Sequence, residues 1–382
     1  MLSSVDVTDF RCFDRAQLRG LTRVNILTGA NASGKSALLE ALYLGTNATA
    51  VAVLNLVSQR NMNRQPMVLA AGLPIPLPIG GNQPMTVDAY FDPFFRTVRK
   101  GDGLKTARKI SVKYKDTDNT RYAVEIGYQE NDRDAPVVRG ASGVTAAVPI
   151  VIQRQKTEDK KQDQNSTMLI TLNQFGQLQQ SAGIPLGPTT FIFGAGTDYA
   201  ESDNVTWFSL LREQDQATKI IDFLRKEFPF IRDIEVLAPN GINGLYATLD
   251  DGTRRRVSAV SSGIYKIVSI LLSTISIQQG IIILDEIENG VYYEKYPAVW
   301  RVLYEFAKST QNQLFITSHS AECLGSLVDV IAEAPEDFCL VRTEREENRC
   351  VVRQFSGKAM KAALERQGEI RGATLGAHVD QT

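Results

Sequence analysis

The octapeptide Gly29-Ala30-Asn31-Ala32-Ser33-Gly34-Lys35-Ser36 satisfies the pattern G-x-x-x-x-G-K-[ST] without a mismatch. Directly before it, Val24 to Thr28 is a compact run of β-prone residues. Directly after it, Ser36 to Leu44 carries apolar residues at 38, 39 and 42, the spacing of one helical face. A glycine loop between a strand and a helix has a specific chemical use. The glycines let backbone N–H groups wrap phosphates, Lys35 reaches the β and γ phosphates, and Ser36 offers a hydroxyl to magnesium. A plain glycine turn is the competing reading, and the flanking strand and helix argue against it.

Working outward, Ile281-Ile282-Ile283-Leu284-Asp285-Glu286 reads as a buried strand ending in two carboxylates. In a parallel sheet such an end lies beside the phosphate loop, where Asp285 can hold the magnesium shell and Glu286 can orient and polarise an attacking water. A solvated acidic loop is the alternative, and the loop at 29–36 weakens it. His319 follows the run Leu314 to Thr317 directly, so its imidazole can reach the γ-phosphate. The other histidine, His378, lies in a polar tail. Ser261, Ser262 and Gly263 open an apolar helix at Ile264, where unpaired N–H groups and the helix dipole suit an anion. A plain N-cap serine explains the same residues equally well.

The remainder of the chain sets the frame. Its 382 residues carry 42 Lys plus Arg against 43 Asp plus Glu, so no global field draws it to DNA or an anionic membrane. Cys12, Cys323, Cys339 and Cys350 show no C-x-x-C spacing, which argues against a zinc site or a disulfide framework and for buried, reduced thiols. Met1 to Phe10 lacks the features of a secretion signal. The apolar stretch Ile267 to Leu284 is broken by Ser273, Ser276 and Gln278-Gln279-Gly280, so it reads as a buried helix and strand, not a membrane span. A cytoplasmic location is expected. Continuous apolar runs at Gly280 to Leu284 and Leu314 to Thr317, each followed by helical pattern, imply a parallel sheet covered on both faces.

Lys109 to Tyr114 and Arg121 to Tyr128 alternate across Asp116 to Asn119 and read as a hairpin in an antiparallel lobe. Asp251 and Gly252 turn a second hairpin. Gly72 to Pro84, with Pro74, Pro76 and Pro78, should be extended. Arg154 to Ser166 is almost wholly charged or amide-bearing and is expected as an exposed loop. The expected organisation is an N-terminal part of the core with the phosphate loop (1–58), an inserted, partly irregular lobe (59–188), and a C-terminal part of the core with the carboxylates and His319 (189–382).

The order of these motifs resembles the ATP-binding cassette superfamily, in its soluble branch of RecF, SMC-type heads and overcoming-lysogenization-defect (OLD) ATPases. It is nearest to small bacterial AAA-type proteins of the abortive-infection kind. Asp9 to Phe13, Gly29 to Leu42, Ser261 to Lys266, Asp285 to Gly290 and Thr317 to Cys323 carry the resemblance. It implies an α/β P-loop NTPase fold of the ABC-ATPase type: a mixed or parallel central sheet flanked by helices, an antiparallel β lobe and an inserted region. It also implies ATP and Mg2+ as ligands, held at residues 29–37, Ala37 included, with Ser36 and Asp285 as the metal ligands. In that family two heads dimerise head to tail. By resemblance Ser261 and Gly263 act in trans, Lys35 and the base Glu286 serve hydrolysis, His319 is the switch histidine, and Asn289 and Gly290 lie near the dimer seam.

Departures from the family pattern are the single glycine after the serines at 261–262, Val291-Tyr292 in place of Leu-His, and a Q-loop glutamine for which Gln59 and Gln65 are the candidates. OLD nucleases carry a TOPRIM domain after the ATPase, and the residues 320–382 that follow His319 are too few for one. Asp116-Thr117-Asp118 is better explained as a turn than as a metal site. The leading expectation is a homodimer, or a higher oligomer, closed by ATP, whose state a protein effector reads, anti-phage defence being one setting. The alternative is a RecF-like head that binds DNA through Arg254 to Arg256 and Lys105, Arg108 and Lys109. A third reading has ATP bound as a structural ligand and hardly turned over.

Overall fold

The computed structural model describes residues 1–47, 95–100, 103–106, 109–128, 139–140, 143–144, 150–158, 163–172, 178–180, 188–193, 201–347 and 349–366, with positions 49, 52 and 56. Gln59, Gln65, Arg108, His378 and the stretch from Gly72 to Pro84 lie outside the described residues.

In chain order, β1 (Leu2–Phe10), β2 (Phe13–Arg19) and β3 (Val24–Thr28) lead into α1 (Lys35–Asn47). Strands follow as β4 (Thr97–Lys100), β5 (Gly103–Thr106), β6 (Lys109–Asp116), β7 (Arg121–Tyr128), β8 (Arg139–Gly140), β9 (Gly143–Val144), β10 (Ile150–Thr157), β11 (Gln164–Leu172), β12 (Leu178–Gln180) and β13 (Thr190–Phe193). Helices α2 (Glu201–Glu213) and α3 (Ala217–Glu227) precede the small sheet of β14 (Ile231–Leu237), β15 (Gly244–Leu249) and β16 (Arg254–Arg256). Then come α4 (Ser262–Ser276), β17 (Ile281–Leu284), α5 (Tyr296–Ser309), β18 (Gln313–Thr317), α6 (Ala321–Gly325), α7 (Val328–Glu333), β19 (Phe338–Glu346), β20 (Arg349–Ser356) and α8 (Gly357–Glu365).

Two sheets organise the molecule. The first has the order β13-β17-β18-β3-β19-β20 and is parallel throughout except for the antiparallel edge pair β19–β20. Its strands are continuous apolar runs because both faces are covered. Ile282, Leu284, Leu314, Ile316, Val24 and Ile26 face a core built with the C-terminal helices. Ile281, Ile283, Phe315 and Leu27 face a second core with α1, β1 and β2. Helix α1 is buried over most of its length, Ala37 to Thr46, since it belongs to this second core and touches both sheets.

The second sheet is antiparallel, with the order β12-β11-β10-β7-β6-β1-β2. The hairpin of β6 and β7 is present, and Asp116 Oδ1 accepts from the amides of Asp118 and Thr120 at its turn, both at 2.9 Å. Among the described residues these strands are not a lobe apart from the N-terminal segment, because β6 pairs directly with β1.

The exposed loop expected at Arg154 to Ser166 is a correction. Arg154 to Thr157 belong to β10 and Gln164 to Ser166 to β11, with Lys156 opposite Gln164. The backbone is ordered by pairing with β7 on one side and β11 on the other, not by apolar content. Alternation then buries Ile152 and Arg154 on β10, and Met168 on β11. Gln155 and Asp163 pair at 2.9 Å and Lys156 and Glu158 at 2.6 Å, which satisfies the polar face.

Buried amides fasten the frame around the future site. Asn312 Nδ2 donates to the carbonyls of Thr274 and Ile277, and its Oδ1 accepts from Gly280 N, so one side chain joins the end of α4 to the start of β17. Gln313 exchanges hydrogen bonds with both backbone groups of Leu2, clipping the two sheets together. Each is buried, where an unpaired amide would be costly.

Candidate nucleotide site

Strand β18 lies between β17 and β3, all three parallel, so the loops after them emerge at one edge of the sheet. The octapeptide at 29–36 follows β3, Asp285 and Glu286 follow β17, and His319 follows β18. Ligands of open α/β sheets bind beyond such C-terminal strand ends.

The phosphate loop requires its glycines. Gly29 has φ of 146° and Gly34 of 101°, and a Cβ on Gly29 would sit 2.2 Å from the carbonyl oxygen of Thr343 on β19. Thr343 also hydrogen-bonds Ser33 through the two hydroxyls at 2.7 Å, so β19 braces the loop from below. Ala30, Asn31 and Ala32 are exposed, and Ala37 is buried under them in α1. The first turn of α1 is closed by Leu38 N donating to Gly34 O at 2.9 Å. Lys35 is buried, and its Nζ donates to the carbonyls of Gly29 and Ala30, both at 2.8 Å. Burial depresses its pKa, while Asp285, Glu286 and Glu288 pull in the opposite direction.

Across from the loop, Ser36 Oγ donates to Asp285 Oδ2 at 3.0 Å. The other oxygen of Asp285 accepts from Thr317 Oγ1 at 2.6 Å, and the same hydroxyl accepts from Glu286 N at 2.7 Å. Thr317 thus orients both carboxylate-bearing residues from the neighbouring strand. Ser36 and Asp285 supply a hydroxyl and a carboxylate oxygen side by side, the hard donor set that suits Mg2+. That ion is commonly held by one or two protein oxygens together with phosphates and water. Among the described residues no group of three or more His, Cys, Asp or Glu side chains is arranged to hold a metal, so this pair is the candidate.

Glu286 has φ of 51°, uncommon for a residue with a side chain. Its carbonyl accepts from Lys266 Nζ at 2.6 Å, and its Oε2 accepts from Asn289 Nδ2 at 2.5 Å. His319 Nε2 stands 3.6 Å from Glu286 Oε1, with both side chains about one-third exposed. Lys35, Ser36, Asp285, Glu286 and His319 are therefore assembled around one sheet edge.

Ser261 and Gly263 are placed otherwise. Ser261 caps α4, its Oγ accepting from Ile264 N at 3.4 Å, and a Cβ on Gly263 would lie 1.8 Å from the carbonyl oxygen of Gly290. Among the described contacts they meet the 286–291 turn and the first turn of α4, not residues 29–36 of their own chain.

Sequence reasoning missed several contributors. Thr343 carries no motif signal, and Thr317 lay inside a motif segment without a role. Lys266 and Glu288 lay inside the motif segments without a role. Arg11, on the turn between β1 and β2, forms an ion pair with Glu40 of α1 at 2.7 Å, both about nine-tenths buried. Burial and then the Asp285 charge push the Glu40 carboxyl up to about 9. The cysteines are free thiols as expected, yet Cys12 is half-buried and stands beside Cys350. A Cβ on Gly34 would meet their sulfurs at 2.8 and 3.2 Å.

The chain is similar to several known proteins. Residues 173–324 match the family described as "AAA domain, putative AbiEii toxin, Type IV TA system", a segment that holds Asp285, Glu286 and His319 while the phosphate loop lies upstream of it. An "ATP/GTP phosphatase" of Helicobacter pylori (strain ATCC 700392 / 26695) is 20% identical over 399 residues, covering 97% of this chain and all of that protein. Among solved structures, the SmcHead bound to the C-winged helix domain of ScpA is similar at 12% identity and a TM-score of 0.47, covering 94% of this chain and 99% of that one. The SMC head domain from Thermotoga maritima is similar at 12% identity and 0.42, covering 93% and 98%. With a P-loop facing a strand-end carboxylate pair, and with residues 173–324 similar to an AAA-domain family, the chain is an ATPase.

Proposed function

We propose that this ATPase works as a Mg2+-dependent nucleotide switch: ATP closes two copies head to tail, hydrolysis releases them, and a protein effector reads the difference. The observation that carries the catalytic half is the 3.0 Å hydrogen bond from Ser36 to Asp285, because it joins the P-loop to the strand end that bears Glu286. Glu286 accepts a proton from the attacking water and His319 lies at its carboxylate, while Lys35 and the loop N–H groups meet the charge that develops on the phosphates. Magnesium, held by Ser36 and Asp285, would neutralise the β and γ phosphate oxygens. Dimer closure is supported by the position of Ser261 and Gly263 against Gly290, beside the exposed Tyr292 and Tyr293.

Phosphate release should fall about a hundredfold in Lys35→Ala, the scale of losing one preorganised charge-stabilising donor. Glu286→Gln in excess ATP and Mg2+ should sediment as a dimer. Equal phosphate release from wild type and Lys35→Ala would remove the enzymatic reading, and a monomeric Glu286→Gln would remove the switch.

A further inference from the structure

We propose that Glu288 is a positioning residue of the hydrolytic site: its carboxylate seats the backbone of His319 and so sets the imidazole against Glu286. Glu288 Oε1 accepts from the amides of His319, at 2.5 Å, and Ser320, at 3.1 Å. Two successive N–H groups converging on one oxygen form a small anion nest, and a carboxylate in it makes charge-assisted bonds, shorter and stronger than those of a neutral acceptor. The other oxygen, Oε2, is buried and has no hydrogen-bond partner among the described residues. Lys266, whose Nζ holds the Glu286 carbonyl, feels Glu288 ahead of Glu286 and Asp285 among the carboxylates around it.

The turn carrying Glu286 and Glu288 is stiff. Ile287 N donates to Thr317 O at 3.2 Å, Asn289 N to Glu286 O at 3.1 Å and Val291 N to Glu288 O at 3.1 Å. One rigid turn therefore presents the base through Glu286 and grips the histidine loop through Glu288. The separation of His319 Nε2 from Glu286 Oε1, 3.6 Å, is fixed by their common anchor. Without the grip, the bond from Ser320 N to Ser318 Oγ, at 3.2 Å, and the ties of Thr317 to Glu286 and Ile287 remain, but His319 and Ser320 lose their shared acceptor on the turn.

The inference rests on the ATPase reading for its kinetic arm only. The chain has two histidines, so in a His378→Asn background the ring resonances of the full-length protein report His319 alone. Glu288→Ala should move the His319 Cε1–Hε1 resonance and lower kcat about tenfold to a hundredfold, with KM for ATP within about twofold, since displacing a reacting group by an ångström costs that much. Glu288→Gln retains an oxygen for both amides and should keep the wild-type resonance and most of the rate. An unmoved resonance in Glu288→Ala overturns the proposal. So does a Gln variant as impaired as the Ala variant, since charge and not seating would then matter. Should wild type show no Lys35-dependent phosphate release, the ATPase reading fails while the resonance still decides the role of Glu288.

Discussion

Glu286 occupies a left-handed backbone conformation, a strain of order ~1 kcal/mol for a residue with a Cβ. Three separate groups, Thr317 Oγ1, Lys266 Nζ and Asn289 Nδ2, hold it there, and the result aims its carboxylate at His319. The thiols illustrate the opposite use of burial. Desolvation, with Glu288 adding to it, pushes the Cys323 thiol up from 9.0 to about 12, and desolvation does the same for Cys12, where Cys350 adds to it. The folded protein then keeps these protons while the unfolded chain releases them near 9.0, so the stability they contribute is full below that value and is lost as pH rises toward 12. Denaturant midpoints should fall from pH 9 upward, less steeply in Cys323→Ala, and maleimide should label Cys323 slowly at pH 8 until the protein is unfolded. Rapid native labelling of Cys323 would contradict its burial.

At the scale of elements, the contact between α4 and the 286–291 turn is backbone on backbone. An added methyl at Gly263 would lie 1.8 Å from Gly290 O, which no side-chain adjustment can relieve. Gly263→Ala should therefore cost about 1–3 kcal/mol of stability, and it should depress phosphate release because the displaced turn carries Glu286. Gly325→Ala, whose Cβ would meet nothing within 4 Å, is the control expected to leave both unchanged. The elements most legible in the sequence were those whose pattern and chemistry coincide: the β3–α1 glycine loop and the apolar runs of β17 and β18. The charged strands β10 and β11 were not legible, because backbone pairing with β7 ordered residues whose side chains bury little. Nor could the sequence reveal Asn312, Gln313 or Thr343, which act through partners tens to hundreds of positions away: Gly280, Leu2 and Ser33. Lys266 and Glu288 were within the recognised motifs, but their role depends on α4 lying against the turn after β17, a tertiary fact.

The whole molecule is a layered body in which a mostly parallel sheet is sandwiched between helices and a core of α1 with antiparallel strands, and its net charge is −1. That balance bears on the reading in which it binds DNA as a RecF-like head. Of the residues offered for phosphate contact, Arg254 is paired with Glu235 at 2.6 Å, Arg256 with Glu201, and Lys109 with Glu125. A guanidinium already neutralised by a carboxylate releases few counterions on meeting a phosphate, because its own partner must first be displaced. Arg255, exposed on β16, is left as the contributor from that strand. Each phosphate neutralised steepens the dependence of log K on log salt by about 0.9. With Arg255, Lys105 and Arg108 as contributors, a titration of duplex DNA from 50 to 200 mM salt should therefore give a slope no steeper than about −3, flattened in Arg255→Gln. A slope of about −5 or steeper would require a basic surface larger than these ion pairs leave free, and would put nucleic acid ahead of a protein effector as the partner of the proposed switch.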